Sequence, residues 1–441
     1  MSEKEMIDKY DALLVLGLVI FTLISPNIFG EYNTIVNLGL GAFCWFAFYT
    51  NNRKKFIHEI IIIRMLILSI PLSFRDIFGN PYGASIISWF NIFLLIILIT
   101  YLIKYHFTVK HIFSNFLSLL SLLLIIIGLI PILGVRDYYD AIKQYINIVV
   151  PFGLIIIGNS LKDNINDNNI EVYKLDYILS AFISAIGVII QIFFVQILNV
   201  TIGNYRFLGG YRHAYGFLFS DYSFLSLYLT SGAIMLYSLR NKYSFTKKMW
   251  PVYFVLLLFT SIFTSARTGI AAFIVVFIFY NIPRAYMLLK EGSKKKAIII
   301  ILEIILIVVI SYLLINEIRG IAKFSDSGRM ELNKRAWEIF MENPILGIGF
   351  GGANYIGTLP HNILFQYLAQ GGLVFTIPLI VFLLFTLWLS YKNDCDLFYT
   401  LVCILLGSLF IPNIFDSRFL PVIYLLLSLK VNQDEINKLK I

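Results

Sequence analysis

The chain has 441 residues, of which 59% are hydrophobic and only 14% are charged. This composition excludes an ordinary soluble globular protein and indicates a membrane protein. The formal net charge of +9 does not require a nucleic-acid partner, and we expect none, because Lys and Arg in a membrane protein first set its orientation.

Apolar runs of about 20 residues, the length of a membrane span, recur along the chain. They predict an all-α polytopic membrane protein with about 12–14 transmembrane helices. The predicted spans are 11–28, 34–50, 57–74, 84–103, 112–134, 143–160, 175–199, 216–239, 249–264, 268–289, 297–315, 361–390, 396–412 and 418–430.

The basic residues orient these spans. With both termini in the cytoplasm, most lysines fall on the cytoplasmic side, as the positive-inside rule requires. Arginine instead dominates the outer loops, and its planar fork of donors suits phosphate. The pattern predicts a phosphate-bearing substrate at the outer surface; the alternative is that these arginines snorkel or pair with nearby carboxylates. Arg64 lies inside a span, where snorkelling is expected. The outer arginines are Arg75, Arg136, Arg206, Arg212, Arg267, Arg319, Arg329, Arg335 and Arg418.

Residues 1–200 carry no recognisable motif and are interpreted as scaffold. The next outer loop, 204–215, mixes basic groups with aromatic rings. Rings stack on sugar faces and guanidinium groups bind phosphate, so the loop is a candidate site for a sugar-phosphate group. The same pattern would also anchor an ordinary loop at the membrane interface. Its candidate binding residues are Arg206, Tyr211, Arg212 and His213.

A very short turn joins two spans at residues 260–270, and Arg267 lies near the start of the second one. A helix N-terminus already favours an anion through its unpaired N–H groups and its dipole. An arginine this close to hydrocarbon is costly without a partner, and no carboxylate lies near it in sequence. Arg267 is therefore a strong candidate for binding a negatively charged substrate.

The segment 316–360 is the longest polar stretch between two spans. Ser325 to Arg329 supply capping residues, and Met330–Glu342 follows with the spacing of an amphipathic helix, which we expect to lie in the bilayer interface. Arg329 and Arg335 belong to this region. The glycine run 347–352 lacks the context of a phosphate-binding loop and is interpreted as a crossover that lets backbone pass close to another group.

His361 and Asn362 open the next apolar run. Asn362, Gln366 and Gln370 share one helix face, and such a polar stripe faces a cavity or another helix. Gly371–Gly372 then breaks the run, so 361–370 is a candidate half-helix. A neutral His361 imidazole could accept a proton from a sugar hydroxyl.

Other motifs carry no assignment. Asp394-Cys395-Asp396 looks like a motif that holds a metal and a nucleotide sugar, but its short loop lies on the cytoplasmic side, away from the other groups. Cys44 and Cys403 fall within spans, so no disulfide framework or metal set is expected. We expect neither a metal nor a cofactor.

With these residues laid out, the chain resembles the O-antigen ligase/polymerase superfamily, the Wzy polymerases and WaaL-type ligases of bacterial surface polysaccharides. The resemblance covers roughly 205–390. Its motifs are Thr264-Ser265-Ala266-Arg267-Thr268-Gly269, then Gly328-Arg329 with Arg335-Ala336-Trp337, Glu342-Asn343-Pro344-Ile345-Leu346-Gly347-Ile348-Gly349, and His361-Asn362 running on to Gln370-Gly371-Gly372.

The resemblance implies an architecture like that of GT-C glycosyltransferases, with regions at 1–200 (scaffold), 201–390 (catalytic) and 391–441 (C-terminal helices and tail). It implies metal-independent glycosyl transfer at the outer face of the bacterial cytoplasmic membrane. The donor would be a glycan on undecaprenyl pyrophosphate, and a chain-length-regulating co-polymerase would be a further partner.

In this scheme Arg267 and Arg329 would neutralise the departing diphosphate, and His361 would help activate or orient the acceptor hydroxyl. Arg335, Asn362 and Gln366 join the loop residues in binding substrate. Overall likeness favours a polymerase that extends lipid-linked repeat units. The alternatives are a ligase acting on lipid A core or another terminal acceptor, and a flippase or other transporter of lipid-linked oligosaccharides.

Overall fold

The computed structural model describes residues 8–75, 87–105, 115–133, 135, 137–208, 212–319, 328–351 and 360–430. Apart from one two-stranded hairpin, the regular structure of these residues is helical. The helices are α1 (Lys9–Phe29), α2 (Asn33–Asn52), α3 (His58–Leu68), α4 (Trp89–Tyr105), α5 (Phe116–Ile127), α6 (Tyr138–Leu161), α7 (Asp167–Gln196), α8 (Tyr222–Leu239), α9 (Ser244–Phe263), α10 (Arg267–Lys290), α11 (Lys294–Arg319), α12 (Arg329–Glu342), α13 (Ile363–Asn393), α14 (Cys395–Ser408) and α15 (Phe419–Lys430). The strands are β1 (Tyr205–Leu208) and β2 (Arg212–Tyr215).

Each predicted span overlaps a helix, from α1 to α11 and from α13 to α15. In the described ranges, 7 helices are both long and apolar enough to cross a membrane, namely α1, α6, α7, α8, α10, α11 and α13. Helices α4, α5, α14 and α15 are apolar but shorter. The chain is therefore an all-α polytopic membrane protein, as the hydropathy pattern predicts.

The chain forms two compact units. Unit 1 comprises Met1–Leu95, Val172–Phe324 and Val402–Gly407, and unit 2 comprises Ile96–Glu171, Ser325–Leu401 and Ser408–Ile441. Both units are built from stretches distant in sequence. The two units are defined by contacts and not by function. They therefore do not test the division at 1–200, 201–390 and 391–441, which remains a functional prediction.

In unit 1, helix α8 packs against α9 and α10, and α10 packs against α11. Helix α8 can be surrounded in this way because it carries small buried residues, including Ser226, Thr230 and Gly232. Small side chains let helix backbones approach closely, which is how helices associate without a hydrophobic driving force in lipid. Helices α1 and α2 form a second packed pair of this unit.

In unit 2, helix α6 packs against α5 and α15, while α13 packs against α5 and α12. The contact of α6 with α15 is close at Gly158, where an added Cβ would lie 2.0 Å from Ser428 Oγ. Any larger residue at Gly158 would separate these two helices.

The prediction that Arg64 snorkels is wrong. The Arg64 side chain is 2% exposed and lies in α3, whose residues from Glu59 to Leu68 are all buried. Its Nε and Nη2 donate to the two Asp176 carboxylate oxygens at 2.8 and 3.1 Å, and its Nη1 donates to Asn52 Oδ1 at 2.6 Å. Asp11 lies 3.8 Å away on α1. Arg64 therefore joins helices α1, α2, α3 and α7 inside unit 1, because a buried charge requires bonded partners.

Candidate functional site

The turn between α9 and α10 leaves the start of α10 without a side-chain cap. Ala266 occupies the N-cap position and makes no side-chain bond, and its own N–H donates to Thr264 Oγ1 at 3.2 Å. Arg267 is the first residue of the helix. The N–H groups of the first turn and the helix dipole thus remain able to attract an anion beside this guanidinium group.

Two hydroxyl groups flank Arg267 inside the same turn. Ser265 is 7% exposed and Thr268 is 3% exposed. Among the residues that the structure describes, neither hydroxyl has a hydrogen-bond partner. Ser265 also has a φ of 62°, in the left-handed region that costs a non-glycine residue energy. Buried hydroxyls without partners and a strained backbone are both costly, and both are typical of ligand sites.

Close packing fixes this turn in place. A Cβ added at Gly269 would lie 2.4 Å from Ser226 Oγ and 2.5 Å from the Ser226 carbonyl carbon on α8. Ser226 Oγ in turn lies 2.9 Å from Ser261 Oγ on α9. The start of α10 is therefore held tightly against the two preceding helices, which sets the position of Arg267.

The loop at 204–215 folds as an antiparallel hairpin, with Arg206 opposite Ala214 and Leu208 opposite Arg212. Successive strand residues point to opposite faces. Arg206 and Arg212 therefore share one face, which we call the basic face. The mixture of basic and aromatic residues in the sequence is separated into two surfaces by strand alternation.

The other hairpin face is aromatic and holds His213. The His213 Nδ1 atom lies 2.7 Å from the Tyr205 hydroxyl and 3.1 Å from Gln196 Nε2. The Tyr215 ring lies 6.3 Å from the Phe263 ring, directly before the turn that leads to Arg267. The hairpin and Arg267 are thus at the same end of unit 1. Tyr211 lies outside the described residues.

The predicted amphipathic helix forms, as α12. Its N-cap is Gly328, one of the predicted capping residues, in the left-handed conformation and without a side-chain bond. Ser325, Asp326 and Ser327 lie outside the described residues. Ala336 and Phe340 are buried, because α12 packs on α13. Arg329 is half-buried at the start of α12, and Arg335 is exposed.

His361 immediately precedes Asn362, the N-cap of α13, and is half-buried. Asn362 caps that helix, because its Oδ1 accepts hydrogen bonds from the Leu364 and Phe365 N–H groups at 2.9 and 3.3 Å. Its Nδ2 donates to the Leu409 carbonyl at 3.2 Å. Asn362 therefore holds the backbone from which His361 projects.

The polar stripe of α13 faces other segments of unit 2. Gln366 is fully buried; its Nε2 donates to Asn413 Oδ1, and its Oε1 accepts from the Asn413 N–H at 2.9 Å. The Gln370 Oε1 accepts from Gln144 Nε2 at 2.5 Å. Both amide atoms of Gln366 are thus bonded within the protein. The sequence pattern could not decide whether this stripe faces a cavity or another segment.

Helix α13 is broken at Gly372, which has a φ of 55° and a ψ of −161°. The half-helix predicted before Gly371–Gly372 is confirmed. The carbonyls of Ala369 and Gln370 accept from the N–H groups of Ile348 and Gly349, each at 2.9 Å. On the other side of the break, the Leu373 and Val374 N–H groups donate to the Pro344 and Ile345 carbonyls. The backbone groups freed by the break are thus paired, as membrane depth requires.

The glycine run explains how this pairing is possible. An added Cβ would lie 2.5 Å from the Gln370 carbonyl carbon at Gly347 and 2.3 Å from Val135 Cγ1 at Gly349. Both glycines also have positive φ. The interpretation as a close crossover is confirmed, and the groups approached are the Gln370 backbone and the Val135 side chain.

Sequence reasoning did not select the pair Asp416–Arg418, although Arg418 was among the outer arginines. Arg418 Nη2 lies 3.1 Å from Asp416 Oδ1, and the Arg418 side chain is 6% exposed. Burial raises the pKa of the Asp416 carboxyl, against the opposing charges of Arg418 and Lys143. Arg418 has a φ of 60°, so this turn combines burial, charge and strain.

Three carboxylates come within 4.8 Å of one another, those of Glu171, Asp394 and Asp396. Asp394 Oδ1 accepts the N–H groups of Asp396 and Leu397, both at 3.1 Å. These bonds cap the start of α14. The sequence reading of Asp394-Cys395-Asp396 did not anticipate that Glu171 would join it, and we assign no metal to the cluster.

The chain was also compared with known proteins. Residues 252–380 match a family model described as O-antigen ligase. No curated protein matches the chain. The matched segment contains Arg267, Arg329, Arg335 and His361, but not the hairpin.

The match implies glycosyltransferase activity of the ligase/polymerase type. Together with the apolar helices, it supports a multi-pass membrane protein. The match at residues 252–380 covers less than a third of the chain and supports the resemblance to the O-antigen ligase/polymerase superfamily.

Proposed function

We propose that the protein is a polysaccharide polymerase. It transfers a growing glycan from undecaprenyl pyrophosphate onto the next lipid-linked repeat unit, at the outer face of the bacterial cytoplasmic membrane. The observation that carries the proposal is the start of α10, where an uncapped helix, Arg267 and two buried hydroxyls without described partners come together inside the family match.

This arrangement suits a diphosphate leaving group. Negative charge develops on the diphosphate as the glycosidic bond breaks, and fixed donors aimed at developing charge are among the strongest contributions to catalysis. The Arg267 guanidinium and the α10 N–H groups supply those donors without a metal ion. The same role is proposed for Arg329, which stands at the start of α12 in unit 2.

His361 acts on the acceptor. The acceptor hydroxyl oxygen attacks the anomeric carbon of the donor sugar, and the bond from that carbon to the diphosphate oxygen breaks. The electron pair leaves with the diphosphate, and the hydroxyl proton passes to the neutral His361 imidazole. The anomeric configuration is inverted, because attack and departure occur on opposite faces.

The remaining candidates divide into two groups. Arg206, Arg212, His213 and Arg335 contact the saccharide or its phosphates, with Tyr211 as a further candidate. Asn362 and Gln366 use their amides to hold the start of α13. We therefore propose that these two residues position His361 rather than bind substrate directly.

A ligase is the second candidate, because the matching family is described by that activity. A ligase would use the same donor and the same leaving group. Its acceptor would be lipid A core or another terminal acceptor instead of a second repeat unit. The acceptor alone separates the two functions.

The test mixes the purified protein with a synthetic undecaprenyl-pyrophosphate repeat unit, with and without lipid A core, and resolves the products on a gel. A ladder without core supports the polymerase, whereas a single core-linked product supports the ligase. No product in either mixture contradicts both, and lipid-linked units that cross a vesicle membrane without reacting would indicate a transporter.

Variants locate the chemistry. We expect Arg267→Ala to reduce transfer about 100- to 1,000-fold, the usual cost of losing one charge-stabilising donor. His361→Ala should reduce it about 100-fold or more, as expected for a lost general base. Arg284→Ala removes an exposed arginine at the far end of α10 and should leave transfer unchanged. Full activity of Arg267→Ala would contradict the proposed site.

A further inference from the structure

Unit 1 contains a cavity of about 370 Å³ beside the hairpin. Its volume falls within the range of small-molecule sites. The cavity lies between the end of α1, the segment before β1, and Ser220, which precedes the N-cap of α8. Its polar and aromatic lining comes from Asn27, Thr201, Asn204, Tyr205, Arg206 and Ser220.

Internal hydrogen bonds hold the walls of this cavity in place. Asn204 Nδ2 donates to the Phe219 and Ser220 carbonyls at 2.8 and 3.2 Å, and its Oδ1 accepts from the Tyr222 hydroxyl at 2.9 Å. Asn27 Nδ2 donates to the Thr201 carbonyl at 3.1 Å. These bonds fix the walls through the protein's own groups, and fixed walls reduce the entropy cost of binding.

The cavity also has a definite charge. Arg206 lines it, is exposed, and shares the basic face of the hairpin with Arg212. Diagonal residues of a strand pair lie about 7–8 Å apart, so both guanidinium groups can act on one bound molecule. No carboxylate is among the described residues that line the cavity. The nearest in sequence, Asp221, is engaged in capping α8, since its Oδ1 accepts from the Ser223 N–H at 2.6 Å.

We propose that this cavity binds a sugar residue that carries an anionic group. Amide, hydroxyl and carbonyl groups match sugar hydroxyls, and Arg206 pairs with the anionic group. The inference deepens the proposed function and rests on it for its biological meaning, because the sugar would belong to the lipid-linked repeat unit. The polymer would then contain an acidic sugar.

The test measures binding and needs no transfer. Two tetrasaccharides are titrated by calorimetry into the full-length protein in detergent. One alternates glucuronic acid with N-acetylglucosamine, and the other contains N-acetylglucosamine alone. We expect the acidic probe to bind at least about tenfold more tightly, a modest requirement for a charge-assisted contact. Arg206→Gln should remove that preference, while Arg284→Gln should retain it.

Three outcomes would overturn the inference: no binding of the acidic probe, equal binding of both probes, or a preference that survives Arg206→Gln. Repeating the titration in Arg267→Ala separates the two proposals. Retained binding in that variant shows that the cavity binds saccharide independently of the turn at Arg267. If the parent protein binds the acidic probe but transfers nothing in any assay, the cavity remains a saccharide site and the enzyme is rejected. Transfer without binding rejects the cavity alone.

Discussion

Arg64 and the turn at residues 264–268 both place polar groups among the apolar helices of unit 1, and they differ in how those groups are satisfied. Arg64 meets two Asp176 oxygens and Asn52 within 3.1 Å. At the turn, the buried Ser265 and Thr268 hydroxyls find no partner among the described residues, and Ser265 is strained as well.

The difference separates two uses of buried polarity. Arg64 is surrounded by carboxylates and an amide, so its removal would leave those groups unpaired in an apolar setting. At the turn, two buried hydroxyls have hydrogen-bonding capacity that none of the described residues uses. Both features would look alike in a hydropathy plot, since each is a polar interruption close to a membrane span.

The largest expected effect concerns the Arg64 cluster. Arg64→Met should lower the free energy of unfolding by about 3–5 kcal/mol, because it leaves the Asp176 and Asp11 carboxylates buried without their cation. Thermal unfolding in detergent measures the loss. The double variant Arg64→Met/Asp176→Leu should recover most of it. If the single variant is as stable as the parent, the cluster is not holding these helices together.

A smaller effect is expected at the turn. Ser265→Gly relieves the positive φ, whereas Ser265→Ala keeps the strain and removes the same hydroxyl. The glycine variant should exceed the alanine variant by about 1 kcal/mol in the free energy of unfolding. Both should raise the KM for the lipid-linked donor if the hydroxyl binds diphosphate.

Unfolding curves and the transfer assay on the same two variants check this pair of expectations. An alanine variant as stable as the glycine variant would show that the backbone at Ser265 is relaxed. An unchanged KM in both would remove this hydroxyl from the proposed site.

The smallest effect lies at the exposed rim of the Arg64 cluster. The hydrogen bond from Lys55 lowers the pKa of the Asp8 carboxyl. Lys55 Nζ lies 2.9 Å from Asp8 Oδ2, and the Lys55 and Asp8 side chains are 36% and 27% exposed. A lowered folded-state pKa gives stability that is present above the unfolded pKa and lost as pH falls through the folded one.

Lys55→Gln should therefore cost less than about 1 kcal/mol at neutral pH, because solvent screens the pair. The cost should vanish in acid, where Asp8 is protonated in both the folded and the unfolded protein. Melting temperatures at neutral and acidic pH measure this, with Lys54→Gln as the control. A cost that persists in acid would mean that Lys55 contributes through packing.

Most of the architecture followed from hydropathy, because lipid forces each span to satisfy its own backbone and to be apolar for about 20 residues. The break in α13 also followed, from Gly371–Gly372. Arg64 was misjudged because its partner Asp176 is far away in sequence. Only the three-dimensional packing shows whether a charge within a span reaches water or another charge.

The candidate site was foreseen less completely. Arg267 could be chosen from its place in a short turn, but the missing partners of Ser265 and Thr268 are a property of packing. The amides of Asn362 and Gln366 suggested substrate contacts, since sequence cannot tell a stripe that lines a cavity from one that faces Asn413 and Leu409. The separation of Arg206 from the aromatic residues required the strand register.

The joint at Gly372 has a practical consequence for mutational studies. Main-chain atoms alone close it, through the carbonyls and N–H groups of 344–349 and 369–374. An alanine scan changes none of these atoms and would report the region as tolerant, except where it replaces a glycine. Scans of this segment should therefore use bulky residues at Gly347, Gly349 and Gly372, because the close approach of these segments requires residues without a side chain at those three positions.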